Sequence, residues 1–208
     1  MTAALLTLAD SRLPAGGHAH SGGVEQAIAA GVVTDPASLA AFLRRRLATS
    51  GAVAAGLAVA ACGGEDLAAL DEEADARTPS PALRAASRQQ GRGLVRVGRR
   101  AWPSDIWNVL PALPHHAIAL GVAAAVAGLT PRQAAHAAAY LSISGPATAA
   151  QRLLAMDPLT VAAVTARLSA EVDAVADSAT GKLPAATDSL LDLLAEVHAA
   201  RKDRFFAS

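Results

Sequence analysis

Apolar residues recur along this chain at intervals of three and four, and strict alternation of apolar with polar positions is absent, as are β-branched or aromatic runs. The pattern predicts an all-α fold, a multi-helix bundle of roughly nine to ten helices. After a short apolar helix at the start, helices are expected near 24–30, 36–61, 65–76, 81–100, 115–128, 131–143, 147–155, 158–179 and 188–203. Asp35-Pro36, Ser80-Pro81, Thr130-Pro131 and Asp157-Pro158 each set a capping side chain before a proline at the first helical position. Gln133 follows Thr130 at the spacing of a capping box. Ser144-Gly145-Pro146 is expected to break what would otherwise be one long helix, because proline removes a donor and clashes with the preceding turn.

The acidic, proline-punctuated stretch 71–81 marks a loop edge but is too short for a domain linker, so residues 1–208 read as a single domain. Residues 1–25 form a Gly-rich N-terminal segment and 201–208 a C-terminal tail. Hydrophobic residues make up 52% of the chain and aromatics 3%, so the core must be built from Ala, Leu and Val. Ala-rich faces let helices approach closely and make seams for self-association, and a homodimer is expected.

Eighteen basic and eighteen acidic side chains give no net charge, and no global field draws the chain to nucleic acid or a membrane surface. Apolar stretches 51–62 and 117–129 fall short of the roughly 20 residues that cross a bilayer. Cys62 is the single cysteine and residues 1–12 carry no secretory pattern, which together point to a cytoplasmic protein.

The densest chemistry lies in 8–25, LADSRLPAGGHAHSGGVE, where Pro14, Gly16, Gly17, Gly22 and Gly23 crowd one loop. Such a loop could offer its amides to phosphate, but Gly181-Lys182 is followed by Leu183-Pro184, and no nucleotide-binding P-loop is present. His18 and His20 are the candidates for a metal contact, and His115-His116 form a second pair. Local capping or packing is the favoured interpretation of each. No nucleophile stands beside an oriented base, so an enzyme is not expected and no cofactor is expected to bind tightly.

Arg84, Arg88, Arg92, Arg96 and Arg100 recur every four residues and wind slowly around one helix. The favoured interpretation is a solvated face paired with acidic 65–75; docking of an acidic partner is the alternative. Gly91, Gly93 and Gly98 on the same helix each cost about 1 kcal/mol relative to Ala, so at least one is expected to serve close packing. In the tail, Phe205 and Phe206 lie beside Arg201 and Arg204, and they either fold back on the core or insert into another subunit.

The segment 8–25 resembles the N-terminal signature of urease accessory UreF proteins, with Asp10-Ser11, a Leu-Pro-x-Gly turn, His20-Ser21 and a Gly-x-Glu entry ending in Glu25. The resemblance continues through Ser87–Arg92, His115–Gly121, Tyr140-Leu141, Arg152-Leu153, Glu196-Val197-His198 and Arg204–Ser208, essentially the whole chain. The sequence lacks the aromatic residue the family usually carries near His18 and Ala19.

The resemblance implies a non-enzymatic scaffold that bridges a UreD-type (UreH-type) protein and the UreG GTPase for GTP-dependent nickel insertion into apo-urease. Nickel would be handled by the complex, with GTP and Mg on the partner GTPase. The expected partner-binding residues are Asp10, Ser11, His20, Ser21, Glu25, Arg88 and Arg92, with Arg201, Arg204, Phe205 and Phe206 as the anchor for the UreD-type protein. Two other classes compete: a helical metal-binding enzyme using His18/His20 or His115/His116, and a nucleic-acid-binding regulator using the arginine stripe.

Overall fold

In the computed structural model, which describes residues 3–10 and 13–208, all regular elements are helical. In chain order they are α1 (Ala3–Ala9), α2 (Val24–Ala29), α3 (Pro36–Arg46), α4 (Ala52–Cys62), α5 (Leu67–Ala76), α6 (Pro81–Ala101) and α7 (His116–Val126). Then follow α8 (Pro131–Leu153), α9 (Pro158–Arg167), α10 (Ser169–Ser178) and α11 (Ser189–Ala200).

The predicted caps are in place. Asp35 accepts from Ser38 N, Ser80 from Leu83 N, and Asp157 from Leu159 N and Thr160 N. Thr130 and Gln133 exchange both bonds of their capping box. Each such cap stabilises by about 1 kcal/mol.

The expected helix 36–61 is a continuous rod with one widened π-helical turn, Leu47–Gly51, between α3 and α4. The expected 158–179 divides at Leu168 into α9 and α10. Residues 131–153 depart from expectation more sharply. The anticipated break at Ser144-Gly145-Pro146 does not occur, and α8 runs through Pro146. Proline at 146 deprives the Ser142 carbonyl of its helical donor. That carbonyl instead accepts from Arg46 Nε at 2.8 Å, so a side chain from α3 repairs the ladder. Thr148 Oγ1 adds a bond to the Ser144 carbonyl at 3.0 Å.

Two apolar cores share α8. Ala134, Ala135, Ala137 and Ala138 pack with α4, α5 and α7, around Leu57, Leu70, Ile118 and Leu120. Farther along, Ala139, Ile143, Ala147 and Ala150 pack with α2, α3, α9 and α11, around Leu39, Leu43, Val164, Leu194 and Phe206. Small side chains allow the close approach: a Cβ on Gly121 of α7 would lie 2.5 Å from the Ala58 carbonyl oxygen of α4. No helix among the described residues is long and apolar enough to cross a membrane.

Candidate partner-binding site

The Gly-rich segment leaves α1, makes a 3-10 turn at Gly17–Ala19 and enters α2 through two consecutive left-handed glycines, Gly22 (φ 61°) and Gly23 (φ 88°). L side chains rarely adopt that conformation, which explains the Gly-Gly pair. The segment lies directly on α6. A Cβ on Gly93 would come within 2.2 Å of the Ala15 carbonyl oxygen, so Gly93 meets the expected packing role.

The C-terminal tail runs back across this loop. Ala207 N donates to Ala19 O at 2.8 Å, and Ser21 N donates to Ser208 O at 2.5 Å. His20 Nδ1 lies 2.6 Å from Ser208 Oγ. Beneath the crossing, Glu25 at the first turn of α2 accepts from Phe205 N at 2.7 Å, Phe206 N at 2.9 Å and His198 Nε2 at 2.9 Å. Burial alone would push the Glu25 carboxyl up, but the Phe205 amide, the His198 ring and the Phe206 amide together hold it below the ordinary glutamate range. Arg201 reaches Gln26 Oε1 at 3.1 Å while pairing with Asp203. Two aromatic side chains leave this clamped backbone in different directions. Phe206 is buried in the second core, whereas Phe205 is 74% exposed, meeting Phe206 edge-on at 5.2 Å.

A second network surrounds Arg88. Its guanidinium binds Asp71 Oδ2 at 2.8 Å, Asp75 Oδ2 at 2.6 Å and the Leu113 carbonyl at 2.6 Å. Buried His115 contacts Asp75 Oδ1 at 2.8 Å and Ser87 Oγ at 3.0 Å, so both ring nitrogens are engaged. Burial tends to raise the Asp75 carboxyl, but His115 and Arg88 hold it below its usual value. Thus the first half of the arginine stripe pairs with the acidic segment, as the favoured interpretation has it, while Arg92, Arg96 and Arg100 are exposed.

The residues singled out in the sequence therefore sit in three settings. His20, Ser21, Glu25, Arg201, Phe205 and Phe206 come together where the two ends of the chain cross. Arg204 is exposed beside them, Arg88 belongs to the separate acidic network, and Arg92 is exposed farther along α6. Ser11 lies outside the described residues, while Asp10 reaches the wall of a neighbouring cavity. His18 is exposed and His20 is tied to Ser208. Among the described residues no three His, Cys, Asp or Glu side chains gather as a metal site. Cys62 donates to the Leu129 carbonyl at 3.6 Å, with its thiol pushed up by burial.

The part Arg46 plays in holding α8 together was not anticipated. The signal was present: it follows Phe42 by four and Leu43 by three, which sets the third arginine of Arg44-Arg45-Arg46 on the inward face.

The class so defined is an all-helical protein whose glycine-rich N-terminal loop is stapled to its C-terminal tail. The UreF family profile matches residues 33–169. The chain is 54% identical over 210 residues to the "Urease accessory protein UreF" of Mycolicibacterium vanbaalenii, covering 99% of this chain and 98% of that protein. It is 54% identical over 208 residues to the protein of the same name from Mycobacterium marinum, again covering 99% and 98%. Against the one from Mycobacterium tuberculosis strain H37Rv the identity is 51% over 208 residues, with the same coverage. This chain belongs to the UreF family of urease accessory proteins, an accessory family and not an enzyme family.

Proposed function

We propose that the chain works as a homodimeric cytoplasmic scaffold that bridges a UreD/UreH-type protein and a UreG-type GTPase during GTP-dependent nickel insertion into apo-urease. The observation that carries this reading is Phe205: a large aromatic side chain held 74% exposed on a backbone whose neighbouring amides are pinned by Glu25. A rigidly presented aromatic flanked by arginines suits an interface anchor, where loss of one residue costs about 2 kcal/mol or more. Arg201, Arg204 and Phe205 form the proposed UreD-type face, and Phe206, buried in the second core, anchors the backbone that presents it. Leu193 and Val197, exposed one helical turn apart on α11, are further apolar candidates for partner contact. Asp10, Ser11, His20, Ser21 and Glu25, with exposed Arg92, form or support the face proposed for the GTPase. Because the tail is bonded to Ala19, Ser21 and Glu25, the two faces meet at one crossing.

Co-expression with UreD-type and UreG-type proteins followed by size-exclusion chromatography tests this. Wild type should co-elute with both, and deletion of residues 201–208 should abolish capture of the UreD-type protein while leaving helicity intact. Undiminished capture by the truncated chain would remove the tail from the interface.

A further inference from the structure

Helix α6 carries six arginines, Arg84, Arg88, Arg92, Arg96, Arg99 and Arg100, and no acidic residue in its 21 positions. With 3.6 residues per turn the last four fall within an arc of about 100°, on the side of the helix opposite buried Leu94 and Gly98. All four are exposed. Among the described residues none of them meets a carboxylate: Arg99 donates to the Trp107 carbonyl at 3.0 Å, and the ion pairs of α6 stop at Arg88. Placement in the last turn, where a cation complements the helix dipole, accounts for Arg99 and Arg100. It does not account for Arg96 and Arg92, one and two turns farther back.

The paired half of the same stripe shows what it recognises. Asp71 and Asp75 stand one helical turn apart on α5, and the Arg88 guanidinium spans both, at 2.8 and 2.6 Å. Arg84, one turn back on α6, approaches Asp75 at 3.8 Å. Arginines and carboxylates thus both repeat every four residues, about 6 Å along either axis, so two helices of equal pitch keep their pairs in step. Beyond Arg88 the match ends within the chain, since Asp66 caps its own helix and Glu73 pairs with Arg77.

We propose that the outward face of α6 bearing Arg92, Arg96, Arg99 and Arg100 docks an acidic helix of a partner protein, one whose carboxylates repeat every four residues. Exposed single pairs contribute little, so the affinity comes from the row acting together. Nucleic acid fits the face less well: Trp107 is buried against Gly98 and Trp102 packs on the first core, so both rings are committed to packing and neither serves as a platform for bases. With no net charge, the chain also lacks a wider field to hold a polyanion. Of these arginines the scaffold reading uses only Arg92, and the surface stands whether or not that reading does.

The probe is a synthetic peptide stapled as a helix, with glutamate at every fourth position, bound to the full chain at low ionic strength and followed by fluorescence anisotropy. It carries no sequence of either scaffold partner, so this test and the co-expression test fail independently. Binding should saturate, weaken as salt is added, and be at least about threefold tighter than for a peptide of the same composition whose glutamates are spread around the helix. Arg92→Glu combined with Arg96→Glu, both at exposed positions, should lower the affinity at least about tenfold and should take up the matching lysine peptide instead. Arg132→Gln, exposed on α8 and outside the face, should change nothing. Absence of saturation, equal affinity for the scattered peptide, undiminished binding by the double variant, or tighter binding of single-stranded RNA at the same ionic strength would overturn the assignment.

Discussion

Arg46 Nε donates at 2.8 Å to the carbonyl of Ser142, the acceptor that Pro146 leaves without a helical partner. A side chain on α3 thereby substitutes for a backbone amide on α8, 96 residues away in sequence. An unpaired buried carbonyl costs about 1–3 kcal/mol, enough to decide whether α8 stays whole. Pro146→Ala restores the missing amide, so the cost of Arg46→Met should be about 1 kcal/mol smaller in that background than in wild type. Urea unfolding of the four members of the cycle reads the coupling, and strict additivity would separate Arg46 from the proline.

Glu25 is the clamp on the tail. Glu25→Gln keeps the shape but removes the charge that binds two amides and the His198 ring, and should cost about 2 kcal/mol. Trypsin should then cut faster after Arg201, Lys202 and Arg204, with the rest of the chain protected. Equal cleavage rates in the two proteins would place the hold on the tail elsewhere.

Acid should release the same clamp. The Glu25 carboxyl is depressed in the folded chain. Its contribution is therefore fully present above the ordinary glutamate pKa of about 4.3 and is lost as pH falls through the lower folded value. The protection of the Phe205 and Phe206 amides against exchange, taken relative to the unfolded-chain rate at each pH, should fall below about pH 4 by this route.

His116 acts over a higher range. Its ring is neutral in the fold, with a pKa of about 4 against 6.5 when free, so the unfolded chain takes up a proton first as pH falls. Stability is lost between those values, by at most on the order of 3 kcal/mol. His116→Asn should flatten the acid limb of stability against pH between about 6.5 and 4, as read by thermal unfolding.

Gly93→Ala tests the seat of the N-terminal loop. Its new methyl would collide with the Ala15 backbone at 2.2 Å, and about 1–3 kcal/mol of stability should be lost despite better helix propensity. Gly181→Ala, where the added atom meets nothing within 4 Å, is the control.

What the sequence revealed follows the range of the interactions. Caps at Asp35, Ser80, Thr130 and Asp157 are decided within a few residues, and all four were legible. Pairing of Arg84 and Arg88 with the acidic segment followed from charge alone. The unbroken α8 was not legible, because its repair comes from a distant arginine while the local rule for proline predicts a break. Glu25 was marked by resemblance as a partner contact, yet its immediate ligands in the fold are amides 180 and 181 residues downstream. No periodicity in a single sequence encodes that pairing.

The 23 residues of α8 form a spine about 34 Å long, with one core gathered on each half. Rotating or sliding this rod would disturb both clusters at once, so neither can melt while the other stays intact. A load applied where α3 and α9 pack on the rod is therefore passed along it toward the α4–α7 end, and backbone protons from Ala134 to Ala150 should be the last in the chain to exchange.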